Sequence, residues 1–207
     1  MLGDNGAVLT TPHAVPWLAP LLLAALAIAG CSADPAGAED VSARAGSLRE
    51  FGERTRAYLA LRTKLATSVA PVSGDATSEQ ISQHQEQLAA AVRTARKDAR
   101  RGDIFTPPVV PQFRTIIRRD LQARDIRDAL AAMQEVPVAL PLRVNTRWPA
   151  DAPRATVPPQ LLSSLYPLPE GLEYRFLDRH LVLLDGEANL VVDYILDVVP
   201  TVVRGRH

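Results

Sequence analysis

The sequence holds few of the side chains that carry covalent or metal chemistry. Its 207 residues include one cysteine, Cys31, and four histidines, of which His84, His180 and His207 follow that cysteine. Zinc sites draw Cys and His ligands from short, regular spacings, and zinc proteases carry HExxH on a helix. Neither pattern occurs here, and His84 stands among glutamines in a polar stretch. We therefore predict no metal site and no bound cofactor.

The serines offer no recognisable nucleophile. Hydrolases of the Gly-x-Ser-x-Gly type hold their serine on a strained turn between glycines, whereas Ser163 and Ser164 lie between leucines. The sequence also lacks a glycine-rich loop that would cradle a phosphate. We predict no catalytic residues and no enzymatic activity, and an enzyme with an unrecognised site stays open as an alternative.

One acidic turn imitates the start of a calcium loop. Residues 185–189 place carboxylate or amide oxygens at positions one, three and five, and Asp193 follows at position nine. An EF-hand loop needs Gly at position six and Glu at position twelve, where this chain has Leu190 and Leu196. We therefore predict a turn between two strands, with Gly186 and Asn189 at backbone positions of positive φ, and no calcium affinity tighter than about millimolar.

Basic residues concentrate between positions 93 and 127, where the sequence has ten Arg or Lys and four Asp. One interpretation is a patch that contacts anionic lipid headgroups or an acidic envelope protein. The candidate contacts are Arg93, Lys97, Arg100, Arg114 and Arg118. The other interpretation is a solvated helical surface on which acids and bases pair within the helix. Both stay open, since the four acids interleave with the bases.

An apolar segment precedes Cys31. Residues 18–28 carry no charge, which is typical of the apolar region of an export signal and too short for the roughly 20 residues that span a bilayer. Residues 32–38 are small and polar and contain a proline, as in a flexible tether. An alternative is that Cys31 is a small buried side chain at the end of a core helix.

The four residues Ile28-Ala29-Gly30-Cys31 resemble the lipobox of bacterial lipoproteins. The resemblance implies a signal peptide over 1–30, cleavage before Cys31, and acylation of its sulfur and new amino group. Several acyl chains on one residue hold a protein at a membrane far more durably than one chain. Ser32, by resemblance to Gram-negative lipoproteins, implies the outer membrane, facing the periplasm. Residues 31–38 are then the lipidated cysteine and its tether.

Composition excludes several classes of partner and scaffold. Lys and Arg number 23 and so do Asp and Glu, so the net charge favours no particular partner. Aromatic residues make up 5% of the chain, too few for the base-stacking surfaces that bind nucleic acid. A single cysteine cannot form a disulfide framework. We predict a packed domain that binds no nucleic acid.

Helical periodicity dominates residues 39–134, with apolar side chains every three or four positions. Thr77 and Gln80 have the spacing of a capping box at the start of the second helix, and a fourth short helix is expected at about 124–134. The first two helices should form an antiparallel hairpin. The sequence predicts a helical bundle.

In residues 135–207 the apolar side chains change from a helical period to a period of two residues. Leu172, Tyr174 and Phe176 alternate with charged residues, and 180–184 is apolar on both faces, as in a central strand. A valine-rich stretch from 190 also favours a strand, as does 138–145 at a sheet edge. Three leucines, Leu161, Leu162 and Leu165, are expected on the buried side of a short helix. The predicted fold class is α+β: an N-terminal helical bundle followed by a small antiparallel β-meander with one short helix.

Residues 156–195 resemble a group of uncharacterised bacterial exported proteins, a resemblance that implies no activity. The segments YRF, LVLLD and VVDYI within it also resemble a C-terminal part of periplasmic nickel and cobalt homeostasis proteins. The leading hypothesis is a lipid-anchored cell-envelope protein that acts by binding or scaffolding. A periplasmic metal-binding or metal-responsive protein is the second hypothesis.

Overall fold

A computed structural model describes residues 35–123, 142–148 and 157–199. Three helices come first: α1 (Pro35–Ala66), α2 (Ser78–Ala95) and α3 (Val110–Ala123). The short helix α4 (Pro159–Ser164) follows, and then the strands β1 (Leu172–Leu177), β2 (His180–Asp185) and β3 (Leu190–Ile195). The predicted α+β class is confirmed. The predicted fourth helix at about 124–134 lies outside the described residues.

Helix α1 packs one face against the rest of the molecule. Phe51, Thr55, Tyr58 and Arg62 recur every three or four residues and are buried, as one side of a helix requires. Arg62 is buried on this face although its side chain is charged. The helix begins at Pro35, inside the segment predicted to be a tether.

Helix α2 starts as its sequence predicts. The backbone N–H of Thr77 donates to Gln80 Oε1 at 2.7 Å, and the Gln80 N–H donates to Thr77 Oγ1 at 3.2 Å, so the capping box is confirmed. The helix ends at Ala95. It runs back along α1, because Arg96, just beyond its last residue, lies over the Tyr58 ring at 4.9 Å.

An aromatic cluster joins the helices to the sheet. The Phe51 ring lies 5.2 Å from Phe105, 5.1 Å from Phe113 and 5.5 Å from Tyr166. Phe113, on α3, also faces Tyr174 of β1 at 5.8 Å. Edge-to-face and offset rings at such separations are favourable. The helices and the inner face of the sheet therefore share one hydrophobic core.

The sheet is an antiparallel meander in the order β1-β2-β3. Leu177 pairs with His180 and Leu181 pairs with Ile195, which places β2 at the centre as predicted. Asn189 adopts φ 49°, as expected for that turn, whereas Gly186 is not among the glycines with positive φ. The turn therefore uses asparagine alone in the left-handed conformation, which asparagine tolerates well.

The segment 142–148 covers the outer edge of β3. The Asn145 N–H donates to the Val191 carbonyl and the Val191 N–H to the Thr146 carbonyl, both at 2.8 Å. Instead of the predicted strand, this described part forms an isolated bridge between Arg147 and Leu190. Asn145 has φ 64°, which interrupts the extended backbone that a strand needs.

Helix α4 carries proline in its first turn, as its sequence indicates. Leu161 and Leu165 are buried. Leu162 is 49% exposed, contrary to expectation. In a helix Leu161 and Leu165 lie on one side, and Leu162 is rotated about 100° from Leu161.

Candidate functional site

The candidate contacts of the predicted basic patch differ in their partners. Arg93 donates to Glu86 Oε1 at 2.8 Å, and Arg147 donates to Glu86 Oε2 at 2.6 Å. Arg93 is thus largely neutralised by an acid from its own helix. Lys97 and Arg100 are exposed in the turns after α2. Within the residues that the structure describes, neither of these two side chains forms an ion pair.

Arg114 and Arg101 come together in a groove at the end of β3. The cavity measures about 230 Å³ and is lined by Arg101 and Phe105 from the loop after α2, Val110 and Arg114 from α3, and Tyr194 and Leu196 from the end of the sheet. We call it the basic groove. Arg118 follows Arg114 by four residues and so lies on the same side of α3. Two of the five candidate contacts therefore lie at or beside this groove.

Arg114 is tied to the sheet. Its Nη2 donates to the Leu196 carbonyl at 3.0 Å, which joins α3 to the end of β3. Its Nε is buried and has no hydrogen-bond partner. The guanidinium is therefore held in place with donor capacity left over.

The loop that carries Arg101 is held by Asp193, a buried carboxylate of β3. Asp193 is fully buried and accepts the backbone N–H groups of Gly102, Ile104 and Phe105 at 2.8 to 3.2 Å. Gly102 has φ 94°, a backbone conformation that residues with a Cβ rarely adopt. The loop is thus clamped onto β3, and the Arg101 guanidinium lies 5.9 Å from the Tyr194 ring.

The protonation of Asp193 reflects two opposed effects. Burial raises the pKa of its carboxyl above the ordinary value, and hydrogen bonds from the backbone N–H groups of the loop and of Tyr194 offset part of that rise. Desolvation disfavours a charged carboxylate, whereas donated N–H groups favour it. Sequence reasoning considered Asp193 only as a calcium ligand and missed this structural role.

A second buried polar group joins α1 to the turn after β2. Asp185 accepts the Tyr58 hydroxyl at 2.7 Å and the backbone N–H groups of Glu187 and Ala188 at 3.0 Å. Arg62 Nε approaches the same carboxylate at 3.5 Å, and Arg62 also pairs with Glu187. Burial, and next the Asp185 charge, raise the pKa of Tyr58 far above its ordinary value. This hydroxyl is therefore a fixed donor.

Asp185 and Asp193 are the two aspartates of the segment that imitates a calcium loop. The oxygens of Asp185 and Asp193 already accept hydrogen bonds from different parts of the chain. They do not converge, since in the described part no three His, Cys, Asp or Glu side chains gather as metal ligands. The candidate residues of the sequence motif are thus explained by packing and turn geometry.

Calorimetric titration tests the prediction about metals. Calcium, nickel and zinc added to the full chain should give no binding tighter than about millimolar, because the carboxylates are engaged. Asp185→Asn and Asp193→Asn serve as controls. Micromolar binding that both variants lose would promote the metal hypothesis over the one favoured here.

No family model, curated protein or solved structure matches this chain. None of the helices in the described residues is long and apolar enough to cross a membrane.

Proposed function

We propose that the protein is a lipid-anchored cell-envelope protein, attached to the outer membrane through Cys31 and facing the periplasm. The observation that carries the proposal is the uncharged run of residues 18–28 followed by Ala29-Gly30-Cys31. Three residues separate Cys31 from the start of α1 at Pro35. Acyl chains on Cys31 would therefore tether the α+β body closely to the lipid surface.

The proposed activity is binding of an anionic partner by exposed cations of the α2–α3 region. Within residues 78–123, which hold α2, α3 and the loop between them, five exposed basic side chains form no ion pair: Lys97, Arg100, Arg101, Arg118 and Arg119. Near a membrane that contains anionic lipid, each such cation contributes about 1 kcal/mol of attraction. A chain with balanced net charge can thus still present a local positive surface.

Replacing Cys31 by alanine tests the anchor. The wild-type protein, expressed in a bacterium, should sediment with membranes, and Cys31→Ala should release it or leave it unprocessed. Each lost acyl chain removes about 0.8 kcal/mol per buried methylene. Ser32→Ala is the matched control and should keep membrane attachment. A Cys31→Ala protein that still sediments with membranes at the wild-type mass would contradict the proposal.

A further inference from the structure

The basic groove brings two guanidinium groups to one cavity from separate parts of the chain. Arg114 is fixed by its bond to the Leu196 carbonyl, and the loop that carries Arg101 is clamped by Asp193. Both side chains line the same space of about 230 Å³. Because these positions are already fixed, less entropy is lost in ordering the site when a ligand binds.

We propose that the basic groove is a binding site for a phosphate group. The proposal deepens the binding of an anionic partner proposed above and rests on it. Each guanidinium presents a planar fork of donors that matches two oxygens of an oxyanion. Two forks from different directions suit the tetrahedral oxygens of phosphate better than the two coplanar oxygens of a carboxylate.

The charges around the groove favour an anion. Arg118 extends the positive surface one turn along α3, and it is exposed without an ion pair in the described residues. The nearest buried acid, Asp193, turns its carboxyl toward the amides of the loop. Asp103 accepts the Arg100 backbone N–H at 2.8 Å. These acids hold the loop, and within the described residues neither Arg101 nor Arg114 forms an ion pair.

The remaining walls favour a phosphodiester that carries carbon groups. Pro107, Val110 and Tyr194 line the groove beside the two arginines. Inorganic phosphate has no carbon groups that could contact these side chains. The glycerol carbons of a lipid headgroup can be buried against them. The phosphate of an anionic lipid headgroup should therefore bind more tightly than inorganic phosphate.

Calorimetry on the full chain in nonionic detergent tests the site. One arm titrates inorganic phosphate, and the other adds phosphatidylglycerol to the micelles. Arg101→Glu should weaken binding in both arms by about tenfold or more, since it replaces charge-assisted hydrogen bonds by repulsion. Arg56→Glu makes the same charge change on an exposed residue of α1 that does not line the groove, and it should retain most of the affinity.

The outcomes separate the site from its alternatives. Tighter binding of phosphatidylglycerol than of phosphate, lost in Arg101→Glu alone, supports the lipid headgroup as the source. Equal affinity in both arms, lost in that variant alone, supports a site for free phosphate. Equal losses in Arg101→Glu and Arg56→Glu, or no binding at low salt, overturn the site. Acylation of Cys31 is read separately by fractionation, so the anchor can fail while the phosphate site stands, or the reverse.

Discussion

Replacing Asp193 by alanine is expected to lower the free energy of unfolding by about 3 to 5 kcal/mol. The variant leaves the N–H groups of Gly102, Ile104 and Phe105 without their shared acceptor, and each buried unsatisfied group costs about 1 to 3 kcal/mol. Removing a buried carboxylate also recovers part of that free energy, because burial disfavours its ionised form. Urea unfolding at neutral pH measures the difference.

Asp98→Ala is the matched control for that change. Asp98 is exposed in the turn after α2, so its loss should alter stability by less than about 0.5 kcal/mol. If Asp193→Ala cost no more than Asp98→Ala, the loop would not depend on the carboxylate. The variant should also weaken phosphate binding, because Arg101 would lose its fixed position.

The effect of Asp193 should depend on pH with a defined sign. Since its pKa is raised in the folded protein, the native state keeps this proton to a higher pH than the unfolded chain does. The contribution of Asp193 to stability is therefore complete below the unfolded pKa and falls as pH rises through the folded pKa. The difference in unfolding free energy between the wild type and Asp193→Ala should therefore become smaller as the pH rises through the folded pKa.

Replacing Phe51 by alanine is expected to cost about 3 to 5 kcal/mol of unfolding free energy. The ring is fully buried and contacts Phe105, Phe113 and Tyr166. Its removal leaves a cavity where α1, α3 and the loop before α3 meet, and the surrounding rings cannot collapse to fill it. Thermal and urea unfolding should both show the loss.

Val41→Ala provides the comparison on the same helix. Val41 is 65% exposed, so truncation should change stability by less than about 0.5 kcal/mol. A small loss for Phe51→Ala would show that the aromatic cluster is not the centre of the core. Equal losses for both variants would have the same meaning.

Local patterns predicted the secondary structure well wherever neighbours in sequence decide it. The alternation in β1 and the apolar run of β2 predicted their strands, and Thr77 with Gln80 predicted the start of α2. The exposure of individual side chains was harder to predict, because the sequence does not show which part of the chain packs against each face of a helix. Ile81 shows this: it fits the apolar period of α2 but is 42% exposed, in the first turn.

The candidate site depended on contacts that no local pattern contains. Arg93 was a candidate contact, yet it pairs with Glu86, which also binds the distant Arg147. Arg101 belonged to the basic stretch and gained importance only when folding brought it beside Arg114. The buried carboxylate of Asp193 acts on residues about ninety positions earlier in the chain. One signal was available, namely an acid within a valine-rich strand, where charge is rarely buried without partners.

The most direct test of the central proposal is the intact mass of the native protein taken from bacterial membranes. We predict a chain that begins at Cys31 and exceeds the mass of residues 31–207 by the mass of the attached lipid. The extra mass should be absent from the Cys31→Ala protein. A native chain with residues 1–30 still attached, or one that begins at Cys31 without added mass, would contradict the lipid anchor.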